Sequence, residues 1–274
     1  MNDLHSTAVR QCRQRPGQRL GLLLLIAVSW LLACSAAAGA SPWVDRQRVG
    51  PFQVYAEFPL REMETLLNDL HRLPDDLWQA LRLPPSEEVV EVYLFGTRNS
   101  YERYIAANAP DAPRQRRALF VRRSGSSRVF AYRSRHMEID VRHECTHALL
   151  HATLPMVPLW LDEGLATYFE VAPDTRARGN PSLQRAVWDV RLGRMASLTS
   201  LEKLASVGSF SAEDYRAALA WVHFMLHGPQ EAHAELIAFL ADIRARQPPG
   251  SLYARLQQRL PNLDSRFAEH IRSQ

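Results

Sequence analysis

Of the 33 basic residues in this chain of 274, Lys203 is the single lysine. Such a skew points to a codon bias toward arginine and removes most of the evidential value of local arginine clusters. Cysteine is nearly as scarce: Cys12, Cys34 and Cys145 are the whole supply. If the first two leave with an N-terminal signal, one thiol remains, which excludes an intramolecular disulfide framework. Excess charge is also missing. The net charge is +4, and Arg10, Arg13, Arg15 and Arg19 against Asp3 account for +3 of it. The rest of the chain is close to neutral, so there is no electrostatic case for a nucleic-acid partner. Internal repeats and long low-complexity linkers are absent. What is present is 46% hydrophobic residues in a chain long enough for one large domain or two small ones. The fold must therefore rest on its core.

The first 40 residues read as an export signal. A basic segment ends at Arg19 and "LGLLLLIAVSWLLACSAAAGA" follows, giving a positive n-region, an apolar h-region and small residues. Three fates stay open. "AGA" at 38–40 suits cleavage before Ser41; "LLAC" at 31–34 resembles a lipobox that would make Cys34 a lipid-carrying first residue; an uncleaved run would be nearly long enough to anchor in a bilayer. All three place residues 41–274 outside the cytoplasm, periplasmic or extracellular.

The periodicity of residues 41–274 predicts an α+β domain. "FQVYAEFPL" within 43–59 reads as a first strand, and "VVEVYLF" at 89–95 as the strongest strand. Leu66, Leu67, Leu70, Leu77 and Leu81 recur at helical spacing, with Pro74 expected to divide the stretch 60–83 into two helices. A short helix is expected around "NSYERYIAAN", then a hairpin of "RALFVRR" and "RVFAYRS" joined at "SGSS". From residue 136 the pattern turns helical, over about 137–154, 159–171, 182–193, 212–227, 230–246 and 251–272, with "SAED" at 211–214 in capping-box form. The expected layout is a mixed-sheet lobe at 41–135 and a mainly helical lobe at 136–274, with the functional cleft between them.

The stretch "VRHECTHALLH" at 141–151 carries the chemistry. On a helix His143, His147 and His151 form one stripe while Cys145 faces the other way, as a small buried apolar residue. His143 and His147 stand one turn apart and can share an ion; His151 lies about 12 Å from His143 along the axis and cannot join them. His143-Glu144-x-x-His147 thus has two imidazoles for Zn²⁺ and a carboxylate, Glu144, placed to act as general base on metal-bound water. The competing interpretation is an ordinary amphipathic helix with surface histidines. A third ligand decides between them. "PLWLDEGLATYFE" at 158–170 has helical periodicity, with Leu161, Leu165, Tyr168 and Phe169 on one face. Glu163, Ala166, Thr167 and Glu170 form a second stripe. Glu163 would complete a His₂Glu site, Glu170 would hold a free ring nitrogen of one ligand histidine, and Gly164 and Ala166 would let this helix approach the first.

These motifs, H-E-x-x-H followed by a glutamate in "WLxEGxAxYxE", resemble the gluzincin zinc metallopeptidases. Fifteen residues separate His147 from Glu163, fewer than in zinc aminopeptidases. The layout is more similar to the peptidase-MA-like group of exported bacterial proteins, over most of residues 50–240. The resemblance implies a peptidase fold, one zinc ion and a peptide or protein substrate. It further suggests Tyr215, at the start of "YRAALAWVHFML", as oxyanion donor, with His223 second to it. Tyr215, Leu219, Val222 and Leu226 would otherwise be a plain core face. No motif for capturing a substrate's free amine is present, which favours endopeptidase action. "RVFAYRS" is the strand expected to take an extended peptide by strand addition, and the arginines at 114–135 would suit acidic sequences. The rival interpretation is a non-catalytic envelope lipoprotein or binding protein that keeps zinc for stability.

Overall fold

β-Branched and aromatic segments build one five-stranded sheet. In the computed structural model, which describes residues 43–112, 116–123 and 125–274, its strands are β1 (Asp45–Val49), β2 (Phe52–Ala56), β3 (Val90–Phe95), β4 (Ala118–Arg123) and β5 (Ser126–Tyr132), in the order β1-β2-β3-β5-β4. β1 and β2 are antiparallel, β2 and β5 flank β3 in parallel, and β4 returns antiparallel to β5. The first expected strand forms as β2, and an unexpected strand, β1, precedes it in a hairpin. Gly50 at φ +54° and Pro51 turn the chain, a conformation a side chain would oppose. The N-terminal signal lies outside the described residues.

The helices are α1 (Glu64–Leu81), α2 (Arg98–Asn108), α3 (Met137–Thr153), α4 (Leu159–Phe169), α5 (Pro181–Arg191), α6 (Leu198–Leu201), α7 (Ala212–His227), α8 (Gln230–Arg244), α9 (Leu252–Arg259) and α10 (Leu263–Arg272). The protein is thus α+β, a mixed sheet followed by a mainly helical region, and Trp43–Gln274 is one compact unit. Pro74 does not divide α1, contrary to the expectation. It forfeits one helix bond, but Leu66, Leu70, Leu73, Leu77 and Leu81 are all buried along one face and outweigh the loss. The final stretch is the reverse case: Leu260-Pro261-Asn262 splits an expected single helix, with Asn262 in the left-handed region. The capping box at Ser211 and Asp214 forms as its sequence indicates. Among the described residues no helix is long and apolar enough to cross a membrane.

β3 is apolar on both sides because both are covered. Val90, Val92 and Leu94 enter the main core beneath the helices, while Tyr93 and Phe95 join Tyr101, Ile105 and Phe130 in a smaller cluster on the opposite face. β5 lies inside the sheet, so it has no free edge for an incoming strand; that edge belongs to β4. α3 crosses β4 and β5, and α4 packs between α3 and α7. This stacking carries the residues of the H-E-x-x-H motif to the rim of the sheet beside β4.

Candidate metal centre

α3 is buried on nearly all sides at its middle: Glu144, Cys145, Thr146 and His147 are all enclosed. α4 is buried from Trp160 to Phe169, so Glu163, Ala166 and Thr167 of the stripe expected there face other side chains rather than solvent. Its approach to α7 is set by Gly164. A Cβ at that position would stand 2.8 Å from the Ala218 carbonyl oxygen. The small residue therefore serves contact with α7, not with α3 as the sequence suggested.

Between α3 and α4, His143 Nε2, His147 Nε2 and Glu163 Oε2 converge. The edges of their triangle are 3.2 Å between the two nitrogens, 3.5 Å from His143 to Glu163 and 3.7 Å from His147 to Glu163. Edges of that size define a circle of about 2.0 Å radius, which is a zinc–nitrogen or zinc–oxygen bond length. Among the described residues this is the one group of three or more such side chains close enough to share an ion. The outer contacts set the ring protons. His143 Nδ1 lies 2.8 Å from Glu170 Oε2, and His147 Nδ1 lies 2.9 Å from Asp162 Oδ1. Glu170 accepts from the His143 ring, which places that hydrogen on Nδ1 and the lone pair on Nε2; the Asp162 contact, short but without hydrogen-bond alignment, favours the same tautomer in His147. Two lone pairs and a carboxylate oxygen then face one another with no donor among them. That arrangement repels itself unless a cation or extra protons sit there, so the donor set fits a metal ion.

The electrostatics agree. Burial disfavours a charged His143, yet Glu163 and Glu170 outweigh it and hold its pKa well above the ordinary imidazole value. His147 is likewise raised, burial being overcome by Asp162. Asp162 is held well below the usual carboxylate range, its burial outweighed by His147 and then His151. The pocket favours positive charge between its rings, which is what a metal would supply in place of protons.

Glu144 sits beside the triangle and lines, with His143, Glu170, Arg116 and Tyr215, a cleft of about 380 Å³. Phe120 of the edge strand donates its N–H to Glu144 Oε2 at 2.8 Å, tying one carboxylate oxygen to the sheet. The Tyr215 hydroxyl stands next to Arg116, and burial followed by the nearby Glu163 raises its pKa, so it keeps its proton at neutral pH. His223, the second choice for that role, is elsewhere. It is buried against Ala177 and His270, away from the cleft. Cys145 is fully buried on the back of α3 as expected.

Three supporting residues escaped sequence reasoning. Asp162 contacts His147, and its position just before Glu163 was the available signal. His151 binds Asp162 rather than an ion. Arg142, buried between α1 and α4, donates to Asp69 at 2.9 Å and to the Glu170 main-chain oxygen at 2.6 Å. No protein-family model matches the chain, and no curated protein is significantly similar to it.

Proposed function

We propose that the protein is an exported zinc-dependent peptidase of gluzincin type. The observation that carries this reading is the convergence of His143, His147 and Glu163 on one point, with the Glu144 carboxylate beside it in an open cleft. Zinc held there would supply a Lewis acid that acidifies water and polarises a carbonyl. Glu144, with Oε2 held by Phe120, has Oε1 to take a proton from attacking water and deliver it to the leaving amine. Tyr215 remains protonated and can donate its hydroxyl hydrogen to the oxygen on which negative charge develops. Glu170 holds the His143 ring by Nδ1, and the Asp162 carboxylate stands against Nδ1 of His147.

The substrate would lie along β4. Arg117 gives its carbonyl oxygen to Tyr132 of β5, while the Phe120 N–H turns to Glu144. By alternation Ala118 and Arg122 also direct main-chain groups away from β5, available to an added strand. An extended peptide taken this way, cut within its length, is the substrate class.

The test is zinc quantitation on the purified protein, followed by peptide-library cleavage with wild type and Glu144→Gln. The expectation is one zinc per chain in both, and cleavage by the wild type reduced at least about 10²-fold by the substitution. Undiminished cleavage by Glu144→Gln refutes the mechanism. Stoichiometric zinc with no peptide cut supports the non-catalytic rival instead.

A further inference from the structure

The two ligand histidines are supported by different chains of contacts. His143 leans on Glu170, whose backbone oxygen is held in turn by buried Arg142. His147 leans on Asp162, and the other oxygen of that carboxylate, Oδ2, lies 2.9 Å from His151 Nε2. One carboxylate from the first turn of α4 is therefore straddled by two imidazoles from successive turns of α3.

The two contacts of Asp162 are unequal. The His147 contact is short, but its N–H is bent off the line to Oδ1, and neither atom has another partner. The His151 contact is a formed hydrogen bond. Asp162 is buried, and a buried carboxylate oxygen without a donor is costly. Without His151 the group could turn about its terminal torsion to seek another donor, releasing His147 as it went. Phe120 lies beside both rings, with centroids 6.5 Å from His147 and 5.7 Å from His151.

We propose that His151 is a positioning residue: acting through Asp162, it fixes the His147 ring in the orientation that binds metal. The inference rests on the reading of His143, His147 and Glu163 as a metal site.

The experiment is a zinc competition titration against a chromophoric chelator, with wild type, His151→Phe, His151→Gln, Asp162→Asn and the double variant His151→Phe/Asp162→Asn. His151→Phe should weaken zinc binding about 10-fold, in the range found for outer partners of metal ligands. His151→Gln puts an amide nitrogen where Nε2 was and should restore affinity to within about threefold of wild type. Once Asp162→Asn is present, His151→Phe should add little, because the two act along one path. A merely structural residue would instead lower the unfolding midpoint of the metal-free protein and add its effect in both backgrounds. If phenylalanine prevents folding, His151→Asn, too short to reach Asp162, replaces it in the same comparison. Zinc binding indifferent to residue 151, or an undiminished loss in the Asp162→Asn background, overturns the inference. Zinc binding that depends on His151 while no peptide is cut sustains the inference and overturns only the proposed function. A wild type that binds no zinc overturns both.

Discussion

Replacing Gly164 by alanine sets two known effects against each other at the residue beside Glu163. Alanine favours a helix over glycine by about 1 kcal/mol, so an exposed site would be stabilised. Here the added methyl would meet the Ala218 carbonyl oxygen at 2.8 Å, with the Ala218 carbonyl carbon and Val222 Cγ2 at 2.9 Å. Ordinary contacts lie near 3.5 Å or beyond, so α4 and α7 must separate by roughly half an ångström or more. A Cβ has no rotamer to escape through, and the obstacle is main chain. Overpacking of this kind typically costs about 1–3 kcal/mol even when neighbours relax. With main chain as the obstacle the cost falls in the upper part of that range, about 2–3 kcal/mol. The steric effect should therefore win, for a net loss of about 1–2 kcal/mol and a fall in Tm of about 2–8 °C for a domain of this size. Because Glu163 rides on the displaced helix, zinc affinity should fall as well. Thermal unfolding with and without zinc reads both quantities. A Gly164→Ala protein as stable as wild type, or more so, would refute the packing described between α4 and α7.

Acid should destabilise the helical region through His223. Its pKa is pushed down to about 4 by burial, and the group hydrogen-bonded to it from α10 is another imidazole, His270, rather than a carboxylate. The unfolded chain takes up this proton near pH 6.5, so the stabilisation is complete above that pH and is lost as pH falls toward 4. At about 1.4 kcal/mol per pH unit the loss approaches about 3 kcal/mol. Urea unfolding of wild type and His223→Gln should therefore diverge between pH 7 and 4.5, and parallel profiles would contradict this. Tyr215→Phe should lower kcat by about 10²-fold while leaving zinc affinity and KM nearly unchanged; an unaltered kcat would remove Tyr215 from the mechanism. Cys145, fully buried with its thiol pKa raised well above the ordinary value by burial, should resist thiol reagents until the protein unfolds. Rapid labelling of native protein would show that the back of α3 is open.

Much of the site is legible along the chain because its geometry is local. His143 and His147 share a helical face by their spacing alone, and Cys145 is sent to the opposite face by the same rotation. Glu163 and Glu170 are two turns apart on the next helix, so a sequence that places one near the imidazoles constrains the other. Strand, hairpin and helix positions follow for the same reason, since hydrophobic period and turn residues act over a few positions. Where the signal at Pro74 failed, the competing effect came from packing, the buried leucines of α1 overriding it; Pro261 ends its helix although Leu256, Leu260, Leu263 and Phe267 are buried around it.

What the tertiary structure decided is which surfaces meet. No local signal says that β5 lies inside the sheet and β4 at its edge, because strand order depends on crossovers rather than on period. Gly164 reads as small, but only the crossing of α4 with α7 assigns its neighbour. Asp162 and His151 are ordinary residues until two helices stack at this angle, when one carboxylate meets two rings. A helix prescribes the direction of each side chain on it; what stands in that direction is set by the burial of every other element.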